Sequence, residues 1–209
     1  MKPLTLACLL GLFLAAPACR TQNPYPAAPG TLFIRQQICD LGDFKAGFFR
    51  PSNALKAHGF RAYRFYRDRH DPKTYLLAFT CANLQEAVGF LQNSNFTFSC
   101  VGAGLGLPLM WAGVPIQGSK DPNWDGYPDL KGFLVTRLDV GDYESWKKGW
   151  DAEGERGTGI RLYRLESRPH VVIETQEVPD ILKVTEPPLS GDATYRETWL
   201  GTYLEGGIF

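Results

Sequence analysis

An excess of charge of one sign is what this sequence most plainly lacks. Lysine plus arginine number 22, aspartate plus glutamate number 22, and the formal net charge is zero. No basic field is available to meet a phosphate backbone, so nucleic acid is excluded as the expected partner. Histidine is scarce: only His58, His70 and His170 occur, all in predicted loops or turns, where a lone imidazole is normally a solvated side chain. Cysteine is too sparse for a disulfide framework. Behind Cys19 only Cys39, Cys81 and Cys100 remain, an odd number at wide spacing, and free thiols are expected; Cys81 with Cys100 is the pair best placed if one forms. No apolar run after the first twenty residues is long enough to cross a bilayer.

The N-terminus is different. Lys2 precedes an apolar run from Leu4 to Ala16, and small residues precede Cys19 in "APAC". This is the pattern of a secretory signal peptide over residues 1–18, too short for a stable membrane span. The cleavage context resembles a bacterial lipobox, with Cys19 as the lipidated first residue of the mature chain. Ala16 stands where leucine is usual, and simple cleavage by the ordinary signal peptidase is the alternative. Either way the expected location is outside the cytoplasm, in the periplasm or at the outer membrane of a bacterium. Residues 19–30, rich in proline and alanine, read as a flexible tether. Over the whole chain 44% of residues are hydrophobic and 13% aromatic, enough for a sizeable core.

Beyond the tether the sequence repeats itself. "HGFRAYRFYRD" (residues 58–68) and "TGIRLYRLESR" (residues 158–168) share Gly-x-Arg-x-Tyr-Arg. Each is preceded by an apolar stretch that ends in Gly-Asp-aromatic, with Asp43 and Asp142 expected to cap a helix. Tyr143, Trp146, Lys147 and Trp150 then mark one helical stripe. In the first half "SNALKAHG" predicts a short helix from Ser52 to a left-handed stop at Gly59. Strands "TYLLAFT" and "VVIETQ" follow the repeated motif. A helix starting at Asn83 with Glu86 three residues on closes the first unit, and the short "VPDILKVTE" closes the second. Strand, helix, strand, strand, helix, with a fourth strand to be found, is the ferredoxin-like βαββαβ pattern written twice. The expected fold class is α+β: repeat one over residues 31–115, a linker over 116–130, and repeat two with a C-terminal extension over 131–209. Each sheet has one face under helices and one bare, so the two bare faces are expected to pack on each other as an intramolecular pseudo-dimeric α/β barrel.

Gly-Asp-Tyr-x-x-Trp-Lys, then Gly-x-Arg-x-Tyr-Arg, a proline turn, an apolar strand and an Asn-Leu-x-x-Ala helix resemble the dimeric α/β-barrel superfamily, and within it the antibiotic-biosynthesis-monooxygenase-like members. The resemblance covers roughly Thr31 to Glu186 as two copies. Repeat one departs from it with Gly47 in place of Trp146, and repeat two lacks most of its second helix. The resemblance implies a choice between cofactor-free oxygenases, haem-degrading oxygenases and binding proteins, which fold alone does not make. A haem-degrading site would require an Asn, a Trp and a His in one cleft, and no such trio is placed by the sequence.

Strand alternation supplies the ligand-site candidates. If Phe60, Ala62, Ile160 and Leu162 face the helices, Arg61, Tyr63, Arg161 and Tyr163 face the space between the sheets, and Gln36 and Arg137 join them. Arginines and phenols there suit a carboxylate or phenolic ligand; a polar, hydrogen-bonded filling or exposed strand faces are the alternative, and a structural lipoprotein, with a filled space between the sheets and no ligand, is the remaining reading. No cofactor is required by this reading. "VGAGLGLPLM", with glycines at 102, 104 and 106, lacks the spacing of a dinucleotide loop. In "DPNWDGYPD", Asp121, Asn123, Asp125 and Asp129 match the early ligand positions of a calcium loop. Gly132 stands at the position of its bidentate glutamate and Pro122 stiffens the turn, so calcium competes there with an ordinary turn.

Overall fold

The computed structural model describes residues 24–49, 52–93, 108–117, 132–152, 160–184 and 193–209. Cys19, the expected signal peptide and the calcium-loop residues Asp121, Asn123, Asp125 and Asp129 lie outside the described residues. In chain order the elements are β1 (Gly30–Gln37), α1 (Leu41–Phe49), α2 (Ser52–Ala57), β2 (Phe60–Asp68), β3 (Thr74–Cys81), α3 (Leu84–Asn93), β4 (Leu109–Gln117), β5 (Gly132–Val140), α4 (Tyr143–Ala152), β6 (Arg161–Leu165), β7 (Arg168–Val178), a single 3-10 turn (Ile181–Lys183) and β8 (Ala193–Ile208).

The fold is α+β. All eight strands close into one antiparallel barrel in the order β1-β3-β2-β8-β5-β7-β6-β4, with β4 returning to β1. Each half of the chain contributes one contiguous arc: β4-β1-β3-β2, then β8-β5-β7-β6. Two seams join the arcs, β2 with β8 and β4 with β6. The C-terminal segment, expected as an extension holding a last strand, is therefore a barrel strand. β8 spans sixteen residues because it pairs with β5 over its first part and β2 over its last.

Local chemistry explains most helix boundaries. Asn83 Oδ1 accepts from the Glu86 amide and Asp142 Oδ1 from the Ser145 amide, as the sequence predicts. At α1 the cap is Asp40 rather than Asp43: its Oδ1 accepts from the Asp43 amide at 2.8 Å, and Asp43 sits in the first turn. Gly59 ends α2 with φ +86°, a conformation that glycine adopts without the steric penalty of a Cβ. α3 buries Leu84, Ala87, Val88 and Leu91, the face its pattern predicts. On α4 the stripe is led by Trp146, at 1% exposure, with Tyr143 and Trp150 packed beside it. In "VPDILKVTE" the described residues form one 3-10 turn, capped by Asp180, whose Oδ1 accepts from the Leu182 amide. Among the described residues the second half thus has less helical cover on its outer face than the first.

The tether is shorter than its composition suggests. Tyr25 is buried, the Leu84 amide donates to the Ala28 carbonyl, the Gln85 amide to the Pro26 carbonyl, and Ser167 Oγ to the Pro24 carbonyl. From Pro24 onward the segment is packed against α3 and the β6–β7 turn, and β1 already begins at Gly30. At the other boundary β4 runs through Gln117, past the expected start of the linker at 116.

Two layers of core result. One packs α1, α2 and α3 on the outer face of the first arc through Phe44, Phe48, Leu55, Phe60, Phe65, Phe79 and α3. The other fills the barrel. Phe33, Tyr66, Leu76, Ala78, Trp111, Phe133, Val135, Tyr163, Ile173 and Trp199 form one cluster to which all eight strands contribute. An eight-stranded barrel has an interior just wide enough for side chains to fill. The space between the sheets is packed with aromatics.

Candidate functional site

Register decides which side chains point inward. Phe33 on β1 lies between Trp111 and Ala78; Val135 on β5 lies between Trp199 and Thr175. On β2, Arg64 opposes Ala78 and Tyr66 opposes Leu76, while on β6, Arg161 opposes Thr175 and Tyr163 opposes Ile173. Arg64 and Tyr66 in one arc therefore hold the positions of Arg161 and Tyr163 in the other. Trp111 and Trp199, also matched in position, stack on each other across the barrel with ring centroids 3.5 Å apart. Behind them the backbone approaches closely. A Cβ on Gly113 would come within 2.7 Å of Tyr163 Cβ, and one on Gly201 within 2.7 Å of Tyr66 Cβ.

Arg161 and Tyr163 face the barrel interior as alternation predicts, and Arg137 shares their side. Arg61, Tyr63 and Gln36 do not. The ladder between β2 and β3 slips between Phe60 and Ala62, leaving Arg61 as the extra residue of a bulge. Every later side chain of β2 is thereby reversed. Arg61 is exposed, and Tyr63 packs outside against Phe49 at 4.5 Å and Phe209 at 5.4 Å. Gln36 alternates with Phe33 and shares the outer side with Leu32 and Ile34, whereas Arg35 turns inward and pairs with Asp68 at 3.3 Å. The interior residues that the sequence reading missed, Arg64 and Tyr66, carry the same Arg-x-Tyr signature three positions later in "RAYRFYR".

Charged groups sit at both ends of the barrel with the aromatic cluster between them. At one end Arg35 pairs with Asp68, Arg137 donates to both oxygens of Asp139 at 2.9 and 3.2 Å, and Trp199 Nε1 donates to Glu197. A cavity of about 160 Å3 opens there, lined by Tyr25, Trp111, Arg137, Arg168 and Ile173 among others. At the opposite end Arg64 and Arg161 reach Glu177. Burial raises the pKa of both interior phenols, Tyr66 and Tyr163, although a guanidinium beside each opposes the shift.

The larger cavity lies outside the barrel. A groove of about 940 Å3 runs over the β4–β6 seam, floored by Val114, Pro115 and Ile116. The Pro24–Ala28 segment, Gln85 and Tyr143 also line it. Arg164 projects into it and lies over the Tyr143 ring at 3.7 Å. Among the described residues no carboxylate comes within ion-pair distance of that guanidinium; Glu166 lines the groove from an exposed position. Burial also raises the pKa of Tyr143.

No histidine among the described residues lines either cavity. His58 is exposed and stacks on Phe90 at 4.5 Å, and His70 and His170 are exposed in or beside turns. Neither of these two cavities has an imidazole among its described lining residues to hold a haem. Among the described residues no cluster of three metal-ligating side chains occurs, and Cys39 and Cys81 are free thiols; Cys100 lies outside the described residues.

No family model matches the sequence, and no curated protein matches it. Solved structures do match in fold. A protein of Lactobacillus acidophilus proposed to be a monooxygenase superposes with a TM-score of 0.53 at 10% identity, over 87% of this chain and 96% of that one. A proposed chlorite dismutase gives 0.55 at 11% identity, over 85% and 95%. A variant of the chlorite dismutase of Candidatus Nitrospira defluvii gives 0.52 at 15% identity, over 86% and 92%. These neighbours belong to the dimeric α/β-barrel superfamily, and the α+β barrel here matches theirs. At such identities the likeness is one of fold.

Proposed function

We propose that this chain is an exported binding protein built from two tandem ferredoxin-like units, close to the monooxygenase-like branch of the dimeric α/β barrels, and that it takes a small organic ligand in the groove over the β4–β6 seam. Duplication is supported by the two arcs having one strand order and by the matched pairs Arg64/Arg161, Tyr66/Tyr163 and Trp111/Trp199. The ligand site moves from between the sheets to the outer seam because the barrel interior is filled.

The observation that carries the reading is Arg164. A guanidinium stacked on a phenol, in a groove of ligand size and with no carboxylate partner among the described residues, is a ready partner for the anionic group of a flat organic molecule. Fluorescence titration with 8-anilinonaphthalene-1-sulfonate tests it. Wild type is expected to bind one equivalent, and Arg164→Gln to weaken binding about tenfold, the order expected for one charge-assisted hydrogen bond. Equal affinity in the two proteins overturns the assignment.

The oxygenase reading draws on fold likeness to a proposed monooxygenase. The histidine positions give it no haem ligand at either cavity, and no reaction step is assigned. Export and anchoring at Cys19 rest on the Leu4–Ala16 run and the "APAC" context; no described helix is long and apolar enough to cross a membrane. Detergent phase partitioning reads the anchor: wild type is expected in the detergent phase and Cys19→Ala in the aqueous phase, and identical partitioning removes it.

A further inference from the structure

The likeness of the two arcs breaks down at the barrel end where the smaller cavity opens. Arg35 and Arg137 hold matched positions, each two residues beyond the matched pair Phe33 and Val135. Arg35 pairs with Asp68, which lies two residues beyond Tyr66. The residue two beyond Tyr163 is Leu165, so Arg137 finds no carboxylate there and takes Asp139 on its own strand. The matched tryptophans differ in the same way. Trp199 Nε1 donates to Glu197 at 3.0 Å, whereas the residue two before Trp111 is Leu109. Trp111 is 9% exposed, and among the described residues none accepts from its indole N–H. Buried donors are nearly always satisfied. At two places, then, a carboxylate of one half is replaced by leucine in the other.

The cavity lies among the residues that lost those partners. Its volume is about 160 Å3, and Trp111, Arg137, Leu165, Arg168 and Ile173 line it. Asp139 engages Arg137 through Nη2 alone, which leaves the Nε and Nη1 donors for a further acceptor. Arg168 is the exposed first residue of β7, and among the described residues no carboxylate comes within ion-pair distance of it. Asp68 and Glu197 are held by Arg35 and the Trp199 indole. An uncommitted guanidinium at the rim, spare donors on a second, and apolar walls between them suit one carboxylate on a short apolar body. A cavity of about 150 Å3 takes up benzene, so this one admits a single ring or a short chain.

We propose that this cavity is a binding site for a short monocarboxylate, its carboxylate held by Arg137 and Arg168 and its hydrocarbon body packed against Trp111. The ligand supplies the negative charge that Asp68 and Glu197 supply at the matched positions. The site is distinct from the groove over the β4–β6 seam and does not depend on it. Among the described residues Tyr25 alone lines both, and Arg164 lines only the groove.

Heteronuclear NMR of the full chain without its signal peptide tests this through the indole N–H resonance of Trp111, assigned as the one lost in Trp111→Phe. Sodium butyrate is the probe and butyramide its neutral counterpart. The resonance is expected to shift saturably with butyrate, and butyramide to bind about tenfold more weakly. Arg168→Gln changes an exposed rim residue, so folding is preserved, and butyrate affinity is expected to fall about tenfold, the order of one charge-assisted hydrogen bond. Leu109→Glu, at a half-exposed position, gives Trp111 the acceptor that Trp199 already has and is expected to weaken butyrate as much. Arg164→Gln should bind butyrate as wild type does, so failure of the groove and failure of this cavity are read separately. A loss in Arg164→Gln with none in Arg168→Gln places butyrate in the groove and overturns the cavity site. Equal binding of butyramide, or a shift that does not saturate, overturns it too.

Discussion

Cys81 closes β3 with its thiol 3% exposed and its sulfur 4.0 Å from the Phe79 carbonyl oxygen. Burial disfavours the thiolate and pushes its pKa up to about 12 from an ordinary 9.0. Below pH 9 the thiol is protonated in both states and stability is unaffected. Above it the unfolded chain releases a proton that the native state retains, so stability falls with rising pH until the native pKa is reached. Tyr66 and Tyr163, raised by the same cause, add to this from pH 10 upward. Urea unfolding at pH 8 and pH 10.5 should show a loss in wild type that Cys81→Ala reduces by about 2 kcal/mol, at roughly 1.4 kcal/mol per pH unit. An identical loss in the variant would mean that the thiol is solvated. The same burial makes Cys81 a poor partner for disulfide exchange, consistent with its being a free thiol.

At the scale of elements, the sequence announces what depends on periodicity and capping, and hides what depends on register. The α3 face and the α4 stripe follow from apolar spacing, and Asn83 and Asp142 are caps as their positions suggest. Inward and outward faces on β6 follow from alternation, which is why Arg161 and Tyr163 are read correctly. On β2 alternation fails because one bulged residue, Arg61, exchanges the two faces, and nothing in "GFRAYRFYR" marks which residue is extra. With three Arg-x-Tyr triplets in the chain, the motif alignment pairs residues 61–63 with 161–163, whereas the ladders pair 64–66 with 161–163. Gln36 is lost to a different cause: β1 is apolar on both faces, so its phase is invisible until its neighbours are known. The packed segment from Pro24 is hidden too, because its anchors are backbone carbonyls and a single tyrosine. The groove was illegible for the same reason: its walls come from the N-terminal segment, α3, β4, β6 and α4, and Arg164 is outward only because Tyr163 is inward.

At the scale of the molecule, the closed barrel removes every sheet edge and buries both inner faces at once. The interior cluster takes Phe33, Tyr66, Leu76, Ala78 and Trp111 from the first arc, and Phe133, Val135, Tyr163, Ile173 and Trp199 from the second. Neither arc alone can cover its own share, and each would leave two strands unpaired where the seams now run. The helical layers are unequal, however. Among the described residues the first half carries α1, α2, α3 and the larger outer core, whereas the second has α4 and one 3-10 turn. Under the duplication proposed above, separating the chain within residues 118–131 should therefore give two different outcomes. The half from residue 24 to 117 has both helical covers and a strand order that can close on a second copy of itself, β2 with β4, so it should elute as a dimer. The half from 132 to 209 should aggregate when made alone and be recovered as a one-to-one complex when the two are made together. Circular dichroism of that complex should show the coupled indole signal of Trp111 stacked on Trp199, which Trp111→Phe should abolish. A monomeric, cooperatively folding 132–209 fragment would mean that its inner sheet face is covered without the first half, and the doubled-barrel account would fail.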